Sequence, residues 1–77
     1  MNIDLADVTL HVDETLDSAR LNDLEDAFRQ REGVVSVHVD GKRPHLFVLE
    51  YNPKLIHSKD LVKIPEFRGL HAELIGL

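Results

Sequence analysis

His11, His71 and Glu73 are the residues of this chain whose types could do chemistry together. Two neutral imidazoles and a carboxylate form a donor set for a borderline divalent ion, Zn(II), Ni(II) or Co(II), if the fold brings them to one surface. The chain has no cysteine, which removes thiolate ligands, thiolate nucleophiles and disulfides together. No Ser/His/Asp set and no carboxylate pair can be placed in one cleft, so no catalytic residue is assigned and no enzyme activity is expected. Solvent-facing histidines on strands are ordinary. The expectation is therefore no cofactor and no metal, with a Zn, Ni or Co ion on His11, His71 and Glu73 as the alternative.

Whether those side chains meet depends on the elements that carry them. Val8-Thr9-Leu10-His11-Val12-Asp13 alternates apolar and polar residues with period two and predicts a first strand. Thr15, Asp17 and Ser18 are possible N-caps for a helix whose apolar face is Leu21, Leu24, Ala27 and Phe28, and which should end at Gly33. Val35 to Asp40 alternates again, and a loop from Asp40-Gly41 through Pro44 leads into His45 to Tyr51, a hairpin signal. Ser58 and Asp60 open a second helical pattern through Leu61, Val62 and Ile64, which Pro65 should shorten or break. Leu70 to Ile75 predicts a last strand. The order is βαββαβ, an α+β ferredoxin-like sandwich with an antiparallel sheet in the order 4-1-3-2 and both helices on one face.

Strand parity then sorts side chains between the two faces. With Leu10 and Val12 inward, Thr9, His11 and Asp13 line the open face. With Ala72 and Leu74 inward, His71, Glu73 and Ile75 share that face, with His38 and Glu50 further across and His45 and His57 beside turns. Phe47, Leu49 and Tyr51 point to the helices, which leaves Leu46 and Val48 outward. Leu46, Val48 and Ile75 form a small apolar patch fit for a partner or a second copy of the chain, and Asp13 begins an acidic loop, Asp13 to Asp17, with the same use.

Composition bounds these readings. The 77 residues are 43% apolar and 30% charged, enough for one thin core in a single domain spanning 1–77 and unlike a disordered tail. The formal charge is −5, and residues 1–26 set eight acids against Arg20 alone, so nucleic acid would be repelled and a polar protein partner favoured. The expected open-face positions also lack the aromatics of an RNA-recognition module. Arg20 near a helix N-terminus is too little for an acylphosphatase-like phosphate site, since the glycine-rich cradle is missing. The first residues show no signal-peptide pattern, and Leu46-Phe47-Val48-Leu49 is the longest apolar run, so neither secretion nor membrane insertion is expected and the cytoplasm is the default location.

Taken in order, Leu10-His11-Val12, Leu24 with Ala27-Phe28, Gly33-Val34-Val35-Ser36-Val37, Tyr51-Asn52-Pro53, Ser58 to Leu61 and Gly69-Leu70 resemble the heavy-metal-associated (HMA) domain. That is the fold of copper chaperones and of N-terminal domains in metal-transporting P-type ATPases. The resemblance implies a metal loop with a CxxC pair between the first strand and the first helix. Counted back from Gly33, the two positions fall on Asp17 and Arg20. Arg20 is a permanent cation, and a lone Asp17 is a hard oxygen donor, so the two suit a helix cap better than a soft ion. The expectation is an HMA-like binding or regulatory module without the thiolate site, acting through protein–protein interaction in a metal-handling context. The alternative is a metal-binding or metal-transfer domain with His and carboxylate ligands.

Overall fold

The computed structural model describes residues 4–76. In chain order the elements are β1 (Ala6–Val12), α1 (Ser18–Gln30), β2 (Val34–Asp40), β3 (Arg43–Tyr51), α2 (Ser58–Glu66) and β4 (Ala72–Gly76). The strands form one antiparallel sheet in the order β2-β3-β1-β4, with β1 and β3 central. This is the ferredoxin-like topology that the sequence pattern predicts.

One sheet face carries the core. Val8, Leu10 and Val12 of β1 and Phe47, Leu49 and Tyr51 of β3 are buried against Leu24 and Phe28 of α1 and Leu61 and Pro65 of α2. Ile56 and Leu70 close the two ends from loops. The Phe28 and Phe47 rings meet tilted at 5.7 Å between centroids, an arrangement that favours edge contact over stacking. The register sets Val8 opposite Leu49 and Leu10 opposite Phe47 on the inner face, and Thr9 opposite Val48 and His11 opposite Leu46 on the outer.

Local chemistry sets the element ends, in places at variance with expectation. Asp17 in extended geometry is the N-cap of α1, its Oδ1 accepting the Arg20 backbone N–H at 2.8 Å. The helix ends at Gln30, with the Arg31 N–H donating to the Phe28 carbonyl, and not at Gly33. Gly33 instead carries the reversal into β2 at φ +99°, and a Cβ there would lie 2.8 Å from Ile56 Cγ2. Pro65 does not break α2 but is its next-to-last residue; the bond its missing N–H would make to the Leu61 carbonyl is lost, and the chain leaves the helix just beyond it, the Phe67 N–H donating to the Lys63 carbonyl and the Arg68 N–H to the Pro65 carbonyl. β3 starts at Arg43, earlier than the hairpin pattern suggests, because Asp40 pairs directly with Arg43 and its Oδ1 accepts the Lys42 N–H across a tighter loop. β4 starts at Ala72 and not at Leu70, since Gly69 at φ +77° bends the chain and Leu70 turns into the core before the ladder begins.

Gly33→Ala should destabilise the domain by about 2 kcal/mol or more, from the left-handed backbone penalty and the clash with Ile56. Nothing lies within 4 Å of a Cβ at Gly41, so Gly41→Ala should stay within about 0.5 kcal/mol of the parent. Urea midpoints compare the two directly, and equal midpoints would refute this account of Gly33.

Candidate functional site

The C-terminal end of β1 is where the chemistry-bearing residues gather. Beyond Val12 the chain still pairs, the Asp13 N–H donating to the His71 carbonyl at 2.8 Å. Glu14 then folds back across the same gap. Its Oε1 accepts the His71 backbone N–H at 2.8 Å and its Oε2 meets His71 Nδ1 at 2.6 Å. This carboxylate latches the β1–α1 loop to the start of β4 through the backbone nitrogen and the ring Nδ1 of one residue. The hydrogen bond from the His71 ring, followed by that from its backbone, lowers the Glu14 pKa from 4.5 to about 2. The same bond, followed by the charge of Glu14, raises the pKa of His71 above its ordinary 6.5.

Asp17 and Arg20 lie just beyond this latch, exposed, on the rim of the α1 N-terminus. The Asp17 carboxylate is engaged as a cap, and Arg20 brings a positive charge to the adjacent turn. Neither arrangement offers a soft donor.

The open sheet face has a second grouping. His11 and Glu73 are cross-strand partners on β1 and β4, and His11 Nδ1 lies 3.1 Å from Asp13 Oδ1. One donor atom from each of His11, Asp13 and Glu73 falls within 4.8 Å of the other two. His71, placed with His11 and Glu73 by parity, lies before the first residue of β4 and is turned to Glu14 instead. Its neighbour in that respect, Asp13, lies just past the end of β1 yet remains beside His11. Leu46 is half-buried, while Val48 and Ile75 are 43% and 52% exposed. Ile75 falls where the β1–β4 register shifts between Thr9 and Leu10, so it has no partner of its own across the ladder.

Two participants escape a reading by parity. His45 lies in the irregular stretch where the β2–β3 register jumps from Val39–Phe47 to Asp40–Arg43. Freed from strict alternation, its ring stacks on His11 at 5.8 Å between centroids, and its Nδ1 donates to the Val12 carbonyl at 2.8 Å. A carbonyl only accepts, so Nδ1 carries hydrogen and, in the neutral ring, Nε2 keeps the lone pair. Glu14 is the other. It is one acid among several in its loop, and nothing local marks it as the partner of His71. Away from this end, a hollow of about 310 Å³ lined by Leu5, Gly33, Val34, Val35, Asn52 and Leu55 lies at the opposite end of the strands. His57 caps the start of α2, its N–H donating to Asp60 Oδ2 at 3.4 Å.

No protein-family model and no curated protein matches the chain. Solved structures do. A copper-binding domain from HMA7, a P-type ATPase, is 21% identical over 91% of this chain and 93% of its own, with a TM-score of 0.82. Oxidized MerP from Ralstonia metallidurans CH34 is 22% identical over 92% and 97%, with a TM-score of 0.81. The N-terminal domain of a potential copper-translocating P-type ATPase from Bacillus subtilis, in its Cu(I)-loaded state, is 24% identical over 94% and 89%, with a TM-score of 0.82. The chain thus has the HMA-type fold, and at these identities the likeness extends to the fold alone.

The latch makes stability depend on pH in both directions. Glu14, with its depressed pKa, contributes above pH 4.5 and loses that contribution as the pH falls towards about 2. His71, with its raised pKa, contributes fully below 6.5 and loses it as the pH rises through the folded-state value. The two describe one exposed pair, strongest between those limits. Imidazole NMR should show His71 titrating above 6.5, and Glu14→Gln should return it towards the ordinary value; identical midpoints in the two proteins would rule the latch out.

Proposed function

We propose that this chain is a small HMA-like binding module without the thiolate site, acting through protein–protein contact in a metal-handling context and catalysing no reaction. The reading rests on one observation. At the two loop positions where the HMA resemblance implies soft ligands, Asp17 is occupied as a helix cap and Arg20 is a cation. These 77 residues hold no cysteine. The metal-handling context is carried over from what the structural neighbours are named for, copper binding and copper translocation.

The contact surface we assign is the uncovered sheet face around Leu46, Val48 and Ile75, continued by the acidic loop from Asp13 to Asp17. Among the described residues no element packs on the Val48 and Ile75 side chains as the helices pack on the other face. The partner is a separate protein or a second copy of the chain. A two-fold axis through the face would set the Val48 and Ile75 patch of one copy against the same patch of the other. No described helix is long and apolar enough to cross a membrane, and we place the module in the cytoplasm.

Sedimentation over a range of concentrations tests the self-association arm. The wild type should associate, and Leu46→Ser with Val48→Ser should remain monomeric with an unchanged circular-dichroism spectrum; loss of the spectrum would mark the two as core residues. In parallel, titration with Cu(I) against a chromophoric chelator should show no capture by the β1–α1 loop, and stoichiometric capture there would overturn the proposal.

A further inference from the structure

We propose that the open sheet face carries a site for a divalent transition-metal ion built from His11, Asp13 and Glu73, distinct from the Asp17 and Arg20 positions and sharing Asp13 with the contact surface proposed above. The three come from different places in the fold. His11 and Glu73 face each other across the β1–β4 ladder, and Asp13 returns to the pair from just beyond the end of β1. An exposed His–Asp ion pair two residues apart would need no third group. Convergence of Glu73 from another strand, to within 4.8 Å, turns the pair into a three-donor set.

The spacing suits an ion. In a tetrahedral shell with bonds of about 2.0–2.1 Å, neighbouring donor atoms are roughly 3.3 Å apart. His11 Nδ1 and Asp13 Oδ1 already stand at 3.1 Å, so an ion could replace the proton they share, while the Glu73 carboxylate closes the remaining gap by rotation. His11 and Asp13 are 36% and 61% exposed at the side chain, which leaves the ion a path in. His45 supports the arrangement from behind. Its ring stacks on His11 and is anchored to the Val12 carbonyl, restricting the His11 ring.

The donor set also selects the ion. One imidazole and two carboxylates supply nitrogen and oxygen only, with two negative charges to balance a dication. That chemistry suits Zn(II), Co(II) or Ni(II) and disfavours Cu(I), which seeks sulfur. Three protein ligands leave a coordination position for water or for a group brought by another molecule, the pattern of sites whose ion reacts or exchanges.

The full chain is titrated with Co(II), followed by its visible absorption, and with Zn(II) by calorimetry. One equivalent should bind saturably, with NMR shifts at His11, Glu73 and the His45 ring and with a spectrum of intense bands for low-coordinate Co(II). His11→Asn and Glu73→Gln should each weaken Zn(II) binding by about tenfold or more, while Asp17→Asn and His71→Gln should leave it within about twofold. Glu73 is exposed, so Glu73→Gln keeps the test valid if His11→Asn perturbs the fold. Absence of saturation at millimolar Zn(II) and Co(II) would overturn the site, as would unchanged affinity in Glu73→Gln. A loss in His71→Gln equal to that in His11→Asn would also overturn it, by moving binding to the Glu14–His71 latch.

Discussion

A sheet covered on one side only is the constraint from which the rest of this structure follows. Because successive side chains on a strand point to opposite faces, every inward residue of β1 and β3 commits its neighbours to the outside. Val8, Leu10 and Val12 are buried, so Thr9 and His11 must face away from the helices, and Asp13 leaves the strand beside them. The core supplies the stability and the opposite face inherits whatever chemistry the sequence puts between core positions. In a domain of 77 residues without disulfides, little burial is in reserve, and losing one residue such as Phe28 would remove about 3–5 kcal/mol of a total near 5–15 kcal/mol.

Regular pairing is what made the fold legible, and departures from regular pairing hid parts of the site. The burial of Leu10 with Val12, and of Phe47 with Leu49 and Tyr51, follows from alternation, because those strand segments keep an unbroken register. His45 stands in the irregular stretch of the β2–β3 ladder, where alternation no longer says which way a side chain points. Alternation along the last strand puts His71 on the same face as Glu73, but the bend at Gly69 delays β4 until Ala72 and leaves His71 free to turn to Glu14. The Glu14–His71 bond joins distant parts of the chain, and no local pattern encodes it. Asp17 is one of three possible caps in the sequence, and only the backbone geometry singles it out.

The two polar groupings at this end of the sheet differ in character. Glu14 and His71 hold a loop in place, with both hydrogen-bonding oxygens of the carboxylate occupied. His11, Asp13 and Glu73 are arranged around a shared space and are less completely satisfied by one another. Neither has the softness of a thiolate pair, so an ion chemistry borrowed from the structural neighbours would not transfer to these atoms even though the backbone superposes closely.

The β1–β4 ladder has a consequence in time as well as in space. It joins the first strand to the last, whereas β2 and β3 meet across a tight turn. Closing a long loop costs more entropy than closing a short one, which ranks this ladder among the slower contacts to form. Anything held jointly by His11 and Glu73 therefore has no binding place on a nascent chain that has not yet emitted β4. Such a ligand acts on the finished fold alone, and its binding free energy is added wholly to the native side of the folding equilibrium.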